Sequence, residues 1–232
     1  GWFGKNTCLI NPSLGSFTFL GSLLVALALP PDEPFEADRC GTCTRCLEAC
    51  PTEALVGPRG LDATRCISYL TIELKGAIPE RMRELVGDKV YGCDICQDVC
   101  PYNHKFAREL SEPSFASRPA LSGKEARSLA LELLSMSQSE FSSAFRRSPM
   151  KRAKLRGLRR NSAIVLGNIG SAEDVPSLAA ALNDPDSMVR EHAAWALGRI
   201  DSVEAREALR LATRRLAEPD VESPPPGLDF GA

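Results

Sequence analysis

The stretch "CGTCTRCLEACP", residues 40–51, places four cysteines within eleven positions and a proline directly after the last. The order Cys-x2-Cys-x2-Cys-x3-Cys-Pro is the bacterial ferredoxin run for [4Fe–4S] clusters. Its spacing has a physical reason. Two-residue gaps let one looped backbone direct three thiolates at one cubane. The fourth cysteine starts a helix and points away, toward a neighbouring cluster, and the proline presets the turn. Downstream, "CDICQDVCP" at 93–101 is the last three-quarters of the same run, and its first cysteine is displaced to Cys66. The count then closes with crossed fourth ligands. Cluster one takes Cys40, Cys43, Cys46 and Cys100, and cluster two takes Cys50, Cys66, Cys93 and Cys96. Soft thiolates also suit zinc, but zinc ribbons usually use two separated CxxC pairs, a poor match to this order.

Cys8 is left over and reads as a small buried residue rather than a ligand. Nine cysteines cannot all pair within one chain. With no secretory signal at the N-terminus, reduced thiols in a cytoplasmic protein are expected.

The 232 residues suffice for one large or two small domains. A net charge of −2 excludes a globally basic or acidic chain but hides an asymmetry. No acidic residue lies between Glu140 and Glu173, and that window holds Arg146, Arg147, Lys151, Arg152, Lys154, Arg156, Arg159 and Arg160. Such a run attracts phosphates. "RRN" at 159–161 is expected to open a helix, where backbone amides also favour anions. Without interleaved aromatics the patch predicts backbone contact rather than base reading. The bland alternative is a solvated helix face.

Residues 1–31 read as strand-rich. The apolar stretch at 14–29 is interrupted by Gly15, Ser16, Gly21 and Ser22, so it is read as a buried strand and a following strand or short helix rather than a membrane span. Residues 63–75 read as a helix over cluster two, where a partner other than another ferredoxin docks. Residues 77–87 read as a second, short helix ending at Gly87. Residues 106–122 form a linker with helical turns. From 123 to 217 the chain is helical with a period of 31, placing Leu166-Gly167 over Leu197-Gly198. Two helices per unit at that period predict a HEAT-like solenoid, with a plain four-helix bundle as the alternative. The tail 218–232, with "SPPPG", reads as disordered.

The stretches "GWFGKNT", "INPSLGS", "CGTCTRCLEACPTEAL", "LDATRCISYLTIELKG", "YGCDICQDVCPYN" and "GLRRNSAIVLGN" together resemble the epoxyqueuosine reductase family, which is related to reductive dehalogenases. The resemblance covers most of residues 1–105 and reappears in the helical region. It implies reduction of epoxyqueuosine to queuosine in tRNA, with cobalamin fed electrons by two [4Fe–4S] clusters. The fold is then α+β. Residues 1–31 are a remnant of the cobalamin-binding α/β domain, 32–105 a two-cluster ferredoxin-like domain, 106–122 a linker and 123–217 all-α HEAT-like repeats.

By the same resemblance Ser68, Cys93 and Asp94 lie where the corrin approaches cluster two, and Ile10, Pro12 and Gly21 help wall its pocket. From the residues alone, Ser68 and Asp94 read equally well as turn residues, and Ile10 and Pro12 as core and turn. Lys5 is a candidate phosphate or cofactor contact. Candidate tRNA contacts are Lys75, Lys151, Arg152, Lys154, Arg156, Arg159 and Arg160, with Lys75 alternatively favouring a helix C-terminus. The family's catalytic aspartate falls upstream of Gly1, so no catalytic residue is assigned and the chain reads as a fragment. The expected partners are the modified tRNA and an external low-potential electron donor, with no membrane, acting on a monomer. A reductive dehalogenase-like enzyme and a non-catalytic two-cluster electron carrier remain as alternatives. The basic window and the helical repeats are superfluous for the first, and the inserted helix and the repeats are unexplained by the second.

Overall fold

Two cysteine loops lie side by side, and a stack of helices holds one of them from outside. The computed structural model describes residues 1–110 and 112–217, without the side chains of Ser114 and Leu216. The tail expected to be disordered lies outside them.

At the N-terminus β1 (Trp2–Phe3) pairs antiparallel with β2 (Leu9–Ile10), Trp2 opposite Ile10 and Phe3 opposite Leu9. Both Trp2 and Ile10 are buried, and they pack with Cys100 as a small core. The next segment is hooked to the cysteine loops by Asn103. Its Oδ1 accepts from Ser16 N at 2.6 Å, while its Nδ2 donates to Ser16 Oγ and Gln97 O. Gly15 is needed there, because its φ is +78° and a Cβ would fall 2.1 Å from Asn103 Oδ1.

Beyond Ser16 the expected strand is not formed. Residues 17–29 are irregular, and Phe19, Leu20, Leu23, Leu24, Leu27 and Leu29 are exposed. An apolar run becomes a buried strand only where another element covers it; here Phe115 stacks on Phe19 with ring centroids 5.2 Å apart, and the run stays exposed.

The first cysteine loop carries α1 (Arg45–Glu48) and leads to the hairpin β3 (Leu55–Gly57) and β4 (Gly60–Leu61). Cys50-Pro51 therefore leads into a turn, not the expected helix. The helix expected over 63–75 is divided. Asp62 caps a single 3-10 turn, Ala63–Arg65, by accepting from Thr64 N. Cys66 is extended, with ψ 125°, and breaks the helix. Tyr69–Glu73 then form a π-helical turn closed by Leu74 N donating to Tyr69 O. Apolar periodicity does not distinguish this wider turn from an α-helix. Next come α2 (Glu80–Val86), stopped by Gly87, then α3 (Ile95–Asp98) and α4 (Pro101–Phe106). Cys100 does start a helix, with Pro101 at its first position.

The remainder is helical: α5 (Ala126–Ser135), α6 (Gln138–Ala144), α7 (Lys154–Ile169), α8 (Val175–Ala181), α9 (Ser187–Ile200) and α10 (Val203–Ala217). α7 and α9 are the aligned helices of the 31-residue period and pack on each other, with α8 and α10 as their second members. Leu158, Val165, Leu178, Val189, Ala193 and Leu197 are fully buried between them.

The inserted segment, residues 67–90, packs against these repeats. Ile67, Leu70, Ile78, Met82 and Val86 share a core with Ile164 of α7. Asn168 donates to the α2-end carbonyls of Arg83 and Gly87. His192 of α9 accepts from Ile78 N at 3.2 Å.

Candidate metal centre

The eight expected ligands gather in two groups. One cavity of about 160 Å³ is lined by Cys40, Cys43, Cys46 and Cys100. A second, of about 230 Å³, is lined by Cys50, Cys66, Cys93 and Cys96. Each loop thus sends its last cysteine to the other loop's cavity. The folding reason is local. Cys43 N donates to Cys40 O and Gln97 N to Asp94 O, so each loop curls its first cysteines inward, and the short helices α1 and α3 carry the last cysteine across.

The loops are braced by polar contacts that sequence reading did not find. Lys5 Nζ donates to Gly41 O at 2.6 Å and Cys43 O at 2.9 Å, so it holds the first loop and is not free for a phosphate. Asn6 Nδ2 donates to Cys96 O. Trp2 Nε1 donates to Cys40 Sγ at 3.3 Å, and Ala54 N to Cys50 Sγ at 3.3 Å. Donors to sulfur stabilise the more negative, reduced state of a cluster and raise its potential.

Burial pushes the Cys46 and Cys93 thiols up. At Cys50 burial also pushes up but is outweighed by hydrogen bonds from Thr52, Leu55 and Ala54, and the thiol lies below its usual range. Metal loading at Cys46 and Cys93 therefore has to displace protons. Cys8 lines the second cavity, half-buried beside these thiols. A hydrogen bond between the Cys8 and Cys96 thiols holds Cys8 below its usual range and pushes Cys96 up.

Zinc–sulfur bonds of about 2.3 Å would draw four sulfurs to within roughly 3.8 Å of one another. Among the described residues no three ligating side chains meet closely enough to share one ion. Four thiol side chains about each cavity are the soft donor set that an iron–sulfur cluster takes.

The residues expected around cobalamin divide. Ser68, Cys93 and Asp94 come together at the rim of the second cavity. Ile10 lies instead against the first cavity, and Pro12 and Gly21 line neither. Gly21 is exposed, with nothing within 4 Å of a built Cβ.

The basic window is less open than its sequence implies. Arg160 is fully buried and is no phosphate ligand. Burial, aided by Arg156, lowers its guanidinium to about 10. Arg159 donates to Asp184 Oδ2 at 2.6 Å and Met136 O at 2.8 Å, and both Arg159 and Arg160 lie in mid-α7, not at a helix start. Lys75 Nζ donates to Arg152 O and to Ile72 O at the end of the π-turn, so it serves a helix terminus. Arg152 pairs with Glu73, and Arg156 sits 3.5 Å from Asp186. Arg146, Arg147, Lys151 and Lys154 are exposed and have no carboxylate partner among the described residues.

Residues 39–103 match the 4Fe-4S double cluster binding domain and residues 152–222 the HEAT repeats. An epoxyqueuosine reductase of Pseudomonas aeruginosa is 47% identical over 200 residues, covering 86% of this chain and 54% of that protein. The Escherichia coli epoxyqueuosine reductase is 42% identical over 209 residues, covering 90% of this chain and 53% of that protein. The chain belongs to the epoxyqueuosine reductase family. It spans about half the length of the curated relatives it matches. The solved Bacillus subtilis epoxyqueuosine reductase superposes with a TM-score of 0.79 at 35% identity, over 96% of this chain and 57% of that one. An epoxyqueuosine reductase crystallised with an epoxyqueuosine-modified tRNA-Tyr stem loop gives the same TM-score and identity, over 93% of this chain and 56% of that one. Among the described residues no helix is long and apolar enough to cross a membrane.

Proposed function

We propose that this chain is the iron–sulfur and RNA-facing half of an enzyme that reduces epoxyqueuosine to queuosine in tRNA. The reading is carried by one observation: two neighbouring cavities, each lined by four of the eight motif cysteines, with Cys8 beside the second and the last cysteine of each loop exchanged. Clusters in them pass single electrons, whereas removing an epoxide oxygen takes two electrons and a proton. Cobalamin, when bound, supplies the two-electron chemistry. Ser68, Cys93 and Asp94 are the residues of this chain that would face it, since they share the rim of the second cavity. Trp2 and Ala54 tune the thiolates by donating to sulfur. The exposed cations between α6 and α7 supply the surface for tRNA phosphates. A bare electron carrier is disfavoured, because the helical repeats share a core with the inserted segment beside the second cavity.

Anaerobic reconstitution with iron and sulfide tests the reading. About eight irons per chain are expected for two clusters. With cobalamin, a low-potential reductant and the relatives' missing half supplied, queuosine should accumulate in tRNA. A chain that takes up zinc and no iron sinks the reading.

A further inference from the structure

The ligands of the second cavity come from three separate segments. Cys66 stands 27 positions before Cys93. No local loop fixes the spacing between them, yet a cluster needs it held to a fraction of an ångström. The structure holds it by a chain of buried hydrogen bonds that ends in the helical repeats. Thr71 is the first link. Its hydroxyl donates to Ile67 O at 2.8 Å, beside Cys66, and accepts from Gly92 N at 3.0 Å, beside Cys93.

Asn161 of α7 is the second. One amide hydrogen goes to Thr71 O and the other to Val90 O, both at 2.8 Å, so one side chain bridges the two cysteine-bearing segments. Its Oδ1 accepts from Arg160 Nε and Nη2. Arg160 in turn donates to Leu70 O, Leu74 O and Gly76 O, the carbonyls around the end of the π-turn. Thr71, Arg160 and Asn161 are all fully buried. A guanidinium taken wholly out of water is costly unless its donors are satisfied, and here they are spent on Asn161 and on three carbonyls of this one segment.

We propose that Arg160 and Asn161 are positioning residues for the second cluster. They lock the Cys66 segment to the Cys93 segment, so α7 of the helical repeats is part of that cluster's binding site. The proposal rests on the two-cluster reading. It makes the first cluster, whose ligands Cys40, Cys43 and Cys46 sit on one short loop, independent of α7.

The test uses the full chain, reconstituted anaerobically, with iron counted and the reduced sample examined by electron paramagnetic resonance. Asn161→Asp keeps the shape but turns the donating amide into an acceptor facing two carbonyls. Thr71→Val removes both hydroxyl bonds without touching α7. Each should drop the iron from about eight to about four per chain, with the spectrum of Cys66→Ala rather than that of Cys43→Ala. Asn168→Ala, which frees two α2 carbonyls on the same face of α7, should keep about eight irons while lowering the melting temperature. Retention of the wild-type count and spectrum in both Asn161→Asp and Thr71→Val overturns the proposal. So does equal loss of both clusters, or cluster loss in Asn168→Ala. If Asn161→Asp loses its helical circular dichroism, Thr71→Val alone decides. A wild-type chain holding only about four irons refutes the two-cluster reading itself, and the proposal with it.

Discussion

His192 is fully buried in α9, where Nε2 accepts from Ile78 N and Nδ1 faces Met188 O at 2.7 Å. Those two partners require the neutral ring. Burial, with smaller contributions from neighbours including Arg83 and Arg160, lowers its pKa from 6.5 to about 4. Above about 6.5 the imidazole is neutral in both the folded and unfolded chain. As pH falls from there toward 4, the unfolded chain takes up a proton that the folded one refuses, and stability drops. The full effect is on the order of 3 kcal/mol. His192→Gln should be less stable than wild type at pH 7 yet lose less stability between pH 6.5 and 4, measured by urea midpoints. Acid loss of clusters is common to both chains, so their difference isolates the ring. A parallel pH dependence in the two chains would remove the imidazole from the account. The gathering of the eight cysteines into two groups was legible because ferredoxin-type spacing is written in local sequence. His192 and Asn161 were not, because Ile78 N, Thr71 O and Val90 O, which they bind, lie 71 to 114 positions away. Thr71 was hidden for the same reason, its second partner Gly92 being 21 positions on. One signal was present: Asn161 and Asn168 interrupt the same face of α7 as Leu158 and Val165. A polar residue on an apolar stripe marks a buried partner.

At the scale of elements, the 31-residue period is carried by apolar spacing and by two aligned glycines with opposite environments. A Cβ at Gly167 would stand 2.6 Å from Trp195 Cζ3 and 2.9 Å from Ala196 Cα, so α9 would have to retreat from α7. A Cβ at Gly198 would meet nothing within 4 Å. Gly167→Ala should therefore destabilise by about 1–3 kcal/mol through overpacking. Gly198→Ala should stabilise by about 0.5–1 kcal/mol, because alanine is the better residue in a helix interior. Thermal melts of the two variants check both signs, and equal shifts would mean that the repeats do not pack at Gly167. The inserted segment was harder to read. Its apolar residues predict a continuous helix, but the chain is extended at Cys66 and the π-turn after it is held by Arg160 and Asn161 of α7, which no local window contains. The exposed run at 17–29 fails the other way, since its apolar pattern records a burial that the described residues do not supply.

For the molecule as a whole, the basic window is a matter of three-dimensional pairing rather than count. Cations without a nearby acid in sequence find Glu73, Asp184 and Asp186 in space, and Arg160 disappears into the interior. What stays exposed without a carboxylate partner among the described residues is Arg146, Arg147, Lys151 and Lys154, gathered at the connection from α6 to α7. Lys154 and Arg147 also hold positive φ, 60° and 55°, a conformation that non-glycine residues seldom adopt. If these cations meet tRNA phosphates, removing any one of them should reduce the slope of log affinity against log salt by about 0.7–0.9. Lys151→Ala with Lys154→Ala should weaken binding of a tRNA anticodon stem–loop and flatten its salt dependence by about 1.5 in slope. Arg159→Ala should leave the slope unchanged and instead lower the melting temperature, because its guanidinium is committed to Asp184 and Met136 O. Filter binding across a series of salt concentrations separates the two. An unchanged slope in the double-lysine variant would move the RNA surface away from this connection, and a reduced slope in Arg159→Ala would show that its internal bonds open to receive phosphate.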